Sequence, residues 1–222
     1  LLRARGARVE LEVRRAAHPR WPVGRHDLGA DPFDALRRVL PVLRPDAADS
    51  TIPFVGGAVG YFGYELAERL EAVRFPASDP AGFPDLAFLL VDAVLALCHD
   101  TGELWCCGLG IGDEAKRQAE VRVRALREWL ARPVPARPAR GHRAGPLEAA
   151  HDASSYAARV CRVKRAIARG DLYQACLTHR LSVAFEGDPG DLYRRLREHN
   201  PAPFGAWLDL PEGSVLSSSP ER

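Results

Sequence analysis

The order of apolar and polar residues predicts short strands and helices in the first part of the chain. Val9 to Val13 alternates apolar with charged residues, which is typical of a half-buried strand. Pro32 precedes a helical pattern over 34–43 and suits a first-turn position. Residues 53–64 are rich in β-forming side chains but contain four glycines, which indicates bulges or close backbone approach. One or two helical turns are then predicted over 65–70.

A hairpin and a long helix are predicted in the middle of the chain. The apolar run over 86–97 leads into a turn at 99–102, and a second apolar segment returns over 103–109. Residues 113–131 carry apolar side chains at every third or fourth position, which predicts an amphipathic helix.

The last third of the chain is predicted to alternate helices with strands. Asp152 or Ser154 can cap the first helix, and Gly170 follows its last turn. In chain order the predicted elements are a helix over 154–169, a strand over 172–185, a short helix over 191–199 and a hairpin of 204–210 with 214–219. Because hairpins are interspersed with helices, the predicted fold class is α+β with layered antiparallel sheets.

A segment rich in proline and arginine divides the sequence. Residues 132–150 contain four prolines and no apolar periodicity, which favours a surface linker. We therefore predict an N-terminal α+β region over 1–131, a linker over 132–150 and a second region over 151–222.

The composition of the chain limits which binding partners and which cellular compartment are expected for the protein. Thirty-one basic and 29 acidic residues leave a net charge of +2, which argues against nucleic acid and membrane surfaces as partners. The longest apolar run is too short to span a bilayer, and no export signal is visible. Five cysteines without a C-x-x-C spacing favour small buried thiols in a reducing cytoplasm. The chain lacks methionine and stops directly after Glu221 and Arg222, so we expect an interior piece of a longer protein.

A glycine-rich loop is the first feature that could bind a ligand. Residues 108–112 lie between a predicted strand and a predicted helix, which is the context of a phosphate-binding loop. Asp113 and Glu114 follow at once and would repel a phosphate at the helix N-terminus. A plain connection is therefore favoured over nucleotide binding. The seven histidines show no metal-ligand spacing, and His179 alone accompanies a polar candidate on its strand.

Two side chains are candidates for chemistry. Gln174 lies on an otherwise apolar strand, so its amide serves either a structural hydrogen bond or a pocket. Glu221 follows Ser217–Pro220 at the end of an apolar hairpin. It is either half of a surface ion pair with Arg222 or a carboxyl group that donates a proton.

Five motifs in order give the sequence a family resemblance. They are PFVGGAVGYFGYEL at 53–66, FPDLAFLLVDAVLALCHDTGELW at 83–105, RGDLYQACLTHRLS at 169–182, NPAPFGAWL at 200–208 and VLSSSPER at 215–222. Together they resemble the chorismate-utilising enzymes, and within that family the aminodeoxychorismate synthase component I branch. The anthranilate synthase component I branch is the alternative.

The resemblance implies a fold and a reaction. The implied fold is an anthranilate-synthase-like sandwich of antiparallel β-sheets clad by helices, incomplete at the C-terminus, with the chorismate-binding domain beginning near residue 151. The implied reaction is substitution on the chorismate ring with loss of the 4-hydroxyl. The implied cofactor is Mg²⁺, with ligands expected beyond Arg222, where the substrate-binding groups are also expected. The implied partner is a glutamine amidotransferase subunit or fused domain that supplies ammonia.

The resemblance also implies roles for individual residues. Glu221 matches the family's general acid, which protonates the leaving hydroxyl. Gln174 matches a position where water-using members carry a lysine base, so glutamine indicates ammonia as the nucleophile. Residues 173–178 resemble the aminodeoxychorismate type except at Cys176, where asparagine is usual. A lysine in a PIKGT motif, expected downstream, would decide between the two branches.

The sequence also contains a candidate effector site and is compatible with a non-catalytic role. Pro201, Pro203 and Phe204 match a segment that lines a tryptophan effector pocket in relatives, although a plain helix-to-strand turn explains them equally well. A fragment that only binds a glutaminase subunit or a small ligand is the alternative to an enzyme. We expect the 222 residues alone to form no product from chorismate.

Overall fold

The computed structural model describes residues 1–15, 20–43, 51–75, 82–134 and 141–221. The chain divides into two compact units, Leu1–Pro135 and Ala136–Arg222. The division into functional domains at 132–150 stays a prediction. Within that segment, residues 143–144 and 148–149 form short strands, so its second half is more than a plain connection.

The first unit is built from seven strands and two α-helices within the described residues. Their bounds are β1 Leu2–Arg5, β2 Arg8–Val13, β3 Gly24–Asp27, α1 Pro32–Val39, β4 Gly57–Phe62, β5 Leu86–Val91, β6 Ala93–Leu97, β7 Leu104–Gly108 and α2 Ala115–Leu130. Short 3₁₀ helices occupy Leu40–Leu43, Tyr64–Arg69 and Gly112–Glu114. The predicted strand over 9–13, the helix after Pro32 and the helix over 113–131 are confirmed.

The core of this unit lies between a five-stranded sheet and α1. The strands are antiparallel neighbours in the order β3-β2-β1-β5-β4. Leu2, Val9, Leu11 and Leu86 are essentially inaccessible to solvent and form one cluster with the apolar face of α1. Asp31 caps α1 by accepting hydrogen bonds from the N–H groups of residues 33 and 34, which fixes where the helix begins.

The hairpin predicted across the turn at 99–102 is confirmed by β6 and β7, but the long apolar run over 86–97 that leads into it is divided into two strands. β5 belongs to the five-stranded sheet, whereas β6 has β7 as its one partner among the described strands and forms a separate hairpin with it. The change of sheet occurs at Asp92. Its carboxylate accepts hydrogen bonds from Arg15 at 2.6 Å and from Arg122 of α2 at 2.7 Å, and its carbonyl accepts from Leu109 at 2.8 Å. The one charged residue in the run therefore marks the boundary between two sheets.

The glycines at the start of α2 allow close packing. A Cβ atom at Gly108 would overlap the carbonyl oxygen of Ala119, and one at Gly110 would overlap that of Ala115. The strand and its loop thus approach the helix backbone directly, which only glycine permits. This contact accounts for the glycine spacing without a phosphate.

The second unit contains six strands and two α-helices in its described part. They are β8 Arg143–Ala144, β9 Glu148–Ala149, α3 Ala153–Arg169, β10 Leu181–Ser182, β11 Phe185–Glu186, α4 Pro189–His199, β12 Ala206–Leu210 and β13 Gly213–Ser217. All its strand pairs are antiparallel: β8 with β11, β9 with β10, and β12 with β13. The predicted helices over 154–169 and 191–199 and the final hairpin are confirmed.

The predicted strand over 172–185 is wrong for most of its length. Only residues 181–182 and 185–186 form strands, and residues 172–180 lie outside any helix or strand. A strand is stable only when a neighbour pairs with its backbone, and the described residues provide none for this segment. Most of its apolar side chains are accordingly exposed: Tyr173 is 93% exposed, and only Leu177 is half-buried.

The exposure of the cysteines and the length of the helices test two further predictions. The five cysteines are free, but Cys161 and Cys176 are exposed and the others are half-buried, so the prediction of buried thiols is wrong. Hydrogen bonds from Thr101 and Asp100 lower the pKa of Cys98, and burial raises that of Cys107. No helix among the described residues has the length and apolar character that a bilayer crossing requires.

Candidate functional site

The candidate side chains all belong to the second unit, where α3 sets the start of the first candidate segment. Asp152 caps this helix by accepting from the N–H of Ser155 at 2.7 Å and from the hydroxyl of Ser154 at 2.9 Å. These bonds to the ionised carboxylate, led by the one from the Ser155 N–H, lower the pKa of Asp152. The helix begins where the sequence predicts, on the first of the two proposed caps.

The C-terminus of α3 determines where the segment with Gln174 leaves the helix. Gly170 adopts a left-handed conformation with φ of 80°. Its N–H donates to Ile167 at 3.0 Å, and the N–H of Asp171 donates to Ala166 at 3.0 Å. This pair of bonds is the Schellman motif, which satisfies the last carbonyl groups and turns the chain.

Gln174 lies in the irregular segment after this turn and is exposed. Its amide makes no hydrogen bond to any described residue. The segment is tied down beyond it: Tyr156 of α3 donates to the carbonyl of Leu177 at 3.3 Å, and its ring stacks on His179 at 5.2 Å. The prediction that Gln174 lies on a strand is therefore wrong, and its exposed amide needs no partner within the protein.

His179 takes part in a small aromatic stack. Its ring centroid lies 5.8 Å from that of His151, and its Nε2 atom accepts a hydrogen bond from the backbone N–H of His151 at 3.3 Å. Together with Tyr156 these rings join the end of the candidate segment to the start of α3. No cluster of three or more His, Cys, Asp or Glu side chains suited to a metal occurs in the described ranges.

Glu221 follows the last strand of the hairpin β12–β13. This hairpin contacts α4 through Trp207, whose ring lies 6.1 Å from Tyr193 and would collide with any side chain at Gly190. Leu208 and Leu210 are the buried residues of the hairpin. The Glu221 side chain is exposed, and its carboxylate makes no hydrogen bond or ion pair within the described residues.

The segment with Pro201, Pro203 and Phe204 lies directly beside the segment with Glu221. All three residues are exposed, and Phe204 is 45% exposed. The backbone N–H of Phe204 donates to the carbonyl of Ser219 at 3.1 Å, and the hydroxyl of Ser218 donates to the carbonyl of Asn200 at 2.7 Å. The fold thus joins the predicted effector segment to the predicted catalytic segment.

The structure joins some predicted residues and leaves others apart. No hydrogen bond or ion pair connects Gln174 with Glu221 in the part of the chain that the structure describes. The sequence patterns also gave no indication of the hydrogen bond between the Ser218 hydroxyl and the carbonyl of Asn200. The run of serines after an apolar strand is the one sequence feature that points to this bond. The partner of the hydroxyl lies 18 residues away and is determined by the fold of the hairpin, which residue spacing does not predict.

Comparison with known proteins shows the family to which the chain belongs. The family model of chorismate binding enzymes matches residues 10–222, and the chain belongs to this family. The fold agrees with the crystal structure of anthranilate synthase component I from Streptococcus pneumoniae. The TM-score is 0.72 at 22% identity, over 99% of this chain and 49% of the other.

Curated relatives come from both branches named above. Anthranilate synthase component 1 of Streptomyces coelicolor is 35% identical over 212 residues, which cover 90% of this chain and 41% of the relative. Aminodeoxychorismate synthase component 1 of Bacillus subtilis is 29% identical over 194 residues, covering 86% of this chain and 41% of the relative. Aminodeoxychorismate synthase of Streptomyces griseus is 32% identical over 192 residues, covering 84% and 26%. The chain spans less than half the length of each of these relatives.

Proposed function

We propose that the protein carrying this chain is component I of an aminodeoxychorismate synthase. It would convert chorismate and ammonia into 4-amino-4-deoxychorismate and water, a step towards p-aminobenzoate and folate. The observation that supports this is a family match over residues 10–222 that has an amide at position 174 and a carboxyl at position 221. Ammonia would come from a glutamine amidotransferase subunit or fused domain.

Glu221 is assigned the role of general acid. Hydroxide is a poor leaving group near neutral pH, so its departure from carbon 4 needs a proton delivered in the same step. A carboxyl group on a short, anchored segment after a hairpin can supply that proton. The carbon–oxygen bond breaks, the hydroxyl leaves as water, and the new carbon–nitrogen bond forms with ammonia.

Gln174 is assigned the role of a neutral neighbour of the reacting ring. Its amide carries two N–H donors and one carbonyl acceptor but cannot take a proton from water. Water is therefore not activated at this position, which leaves ammonia as the nucleophile. Members of the family use Mg²⁺, but the described residues provide no cluster to hold it.

Anthranilate synthase component I is the second candidate, because relatives of that name reach 35% identity over 90% of this chain. The two products differ in a way that an assay can detect. Formation of anthranilate releases pyruvate from the ring, whereas 4-amino-4-deoxychorismate retains its enolpyruvyl side chain.

The test uses the protein encoded by the gene that carries this sequence, supplied with chorismate, Mg²⁺ and ammonium. We expect an aminated product with no release of pyruvate, identified by mass spectrometry. Stoichiometric pyruvate would assign the protein to the anthranilate branch. Glu221→Gln should lower kcat by about a hundredfold, within the usual contribution of a general acid. A Glu221→Gln variant with normal kcat would exclude this carboxyl as the acid.

The alternative that these 222 residues only bind a partner or ligand is tested by assaying the 222-residue chain for catalysis. Gln174 and Glu221 are both exposed in it, and its described residues lack a metal cluster. We therefore expect no product from chorismate under the same conditions. Turnover by these 222 residues alone would mean that the catalytic groups have been assigned to the wrong positions.

A further inference from the structure

Two hydrogen bonds hold the segment that carries Glu221 against the end of α4 and the turn that follows this helix. The Ser218 hydroxyl donates to the carbonyl of Asn200 at 2.7 Å, and the Phe204 N–H donates to the carbonyl of Ser219 at 3.1 Å. Asn200 is itself fixed, because its N–H donates to the carbonyl of Leu196 at 2.8 Å. We call the two bonds made by Ser218 and Ser219 the serine clamp. It anchors the chain end of the hairpin to the end of α4 and the turn that follows this helix.

The link between the clamp and Glu221 is short and stiff. Only Pro220 lies between Ser219 and Glu221, and its ring fixes φ while restricting the residue before it to extended conformations. The Ser219 hydroxyl oxygen also lies 3.3 Å from both the N and the carbonyl O of Glu221. A shift of Ser218 is therefore transmitted to the Glu221 backbone.

The clamp matters because, among the described residues, the Glu221 backbone has hydrogen-bond contacts only with the Ser219 hydroxyl, and the clamp fixes the segment that carries both residues. The Glu221 carboxylate makes no hydrogen bond to any described residue, so the place of the carboxyl group follows from the backbone that carries it. A general acid acts only within hydrogen-bond reach of the atom it protonates. A displacement of about 1 Å can lower a rate by about a hundredfold.

We propose that Ser218 is a positioning residue, which places the Glu221 carboxyl group for proton transfer through its bond to the Asn200 carbonyl. This inference rests on the proposed function, since it concerns the general acid of that reaction. Ser218 itself touches no reacting atom. Loss of its hydroxyl should therefore slow the chemical step without weakening substrate binding.

The test compares three variants of the protein encoded by the gene. Ser218→Ala removes the clamp bond from the Ser218 hydroxyl to the Asn200 carbonyl. We expect kcat to fall about tenfold while KM stays within about twofold. Ser218→Thr keeps a hydroxyl and should restore kcat to within about threefold of wild type. Ser214→Ala is the matched control: it removes one hydroxyl bond, to Asp209 at 2.8 Å, from the same hairpin near its turn. It should leave kcat within about twofold.

A second measurement does not depend on activity. The Phe204 N–H is bonded to Ser219, so its hydrogen exchange should accelerate about tenfold in Ser218→Ala and stay unchanged in Ser214→Ala. Unchanged exchange in Ser218→Ala overturns the clamp whether or not the protein uses chorismate. Normal kcat in Ser218→Ala, or an equal loss in Ser214→Ala, overturns the positioning role.

Failure of the proposed function gives a different pattern. A wild-type protein that is inactive with chorismate and ammonium, while exchange at Phe204 still responds to Ser218→Ala, refutes the proposed reaction and the catalytic purpose of the clamp. Its geometry would stand. A tenfold loss of kcat restored by Ser218→Thr, together with faster exchange in Ser218→Ala alone, supports the full proposal.

Discussion

Asp92 and Arg122 form an ion pair in which the carboxylate Oδ2 lies 2.7 Å from the guanidinium Nε, with side chains 14% and 15% exposed. Arg15 contacts the other carboxylate oxygen at 2.6 Å. The three residues join the end of the five-stranded sheet, the start of the hairpin β6–β7 and helix α2. Because Asp92 has two cations and little contact with water, its charge is well compensated where the chain changes sheets.

Replacing this carboxylate should destabilise the first unit. Asp92→Asn leaves the partly buried Arg122 without its counter-charge, and we expect a loss of about 2 kcal/mol in the free energy of unfolding, measured with urea. Glu114→Gln is the control, because the pair of Glu114 with Arg117 has side chains 61% and 77% exposed. Such pairs contribute about 0–1 kcal/mol. Equal effects of the two substitutions would contradict the structural role of Asp92.

The glycine loop before α2 should not tolerate a side chain. Gly110→Ala places a methyl group against the Ala115 carbonyl, so we expect a loss of about 1–3 kcal/mol from overpacking. Gly141→Ala is the control, since a Cβ there meets nothing within 4 Å. Thermal unfolding of both variants tests this. A stable Gly110→Ala variant would require another reason for the glycine, such as approach of a phosphate.

The cap of α3 should make that helix sensitive to acid. The pKa of Asp152 is lowered in the folded chain, chiefly by the Ser155 N–H, so its ionised form stabilises the fold above the unfolded pKa of about 3.9. This stabilisation is lost as the pH falls through the folded pKa. We expect Asp152→Asn, which still caps but does not titrate, to show a shallower loss of helicity between about pH 5 and 2.

The direct measurement is a carbon NMR titration of the Asp152 carboxyl group. Ser154→Ala removes one hydroxyl donor and should raise the midpoint part of the way towards that of an unfolded peptide. An Asp152 that titrates as it does in a peptide would contradict the capping geometry.

Gln174 should control which nucleophile is used. In the protein encoded by the gene, Gln174→Lys introduces a group able to take a proton from water. We expect the aminated product to fall at least about tenfold and an isomer of chorismate, formed by water, to appear. Gln174→Ala is the control, since it removes the amide without adding a base. An isomer from both variants, or from neither, would contradict the role of the side chain; chromatography separates the products.

Local patterns predicted the elements that depend only on neighbouring residues. The apolar spacing of α2 and α3, the Asp152 cap, the Gly170 terminus and the turn between β12 and β13 all arise from contacts within a few residues. Five motifs in order were also sufficient to identify the family. These features survive because helix periodicity, caps and hairpin turns are short-range properties of the chain.

Features that depend on distant partners were decided by the tertiary structure alone. The run over 86–97 is uniformly apolar except at Asp92, and its division between two sheets requires Arg15 and Arg122, at 77 and 30 residues' separation. Residues 172–180 have a strand-like sequence but form no strand, because β pairing needs a neighbour that sequence pattern does not supply. The serine clamp likewise exists only because the hairpin brings Ser218 to Asn200. Sequence determined which side chains are present and their local conformation, while packing determined which of them meet.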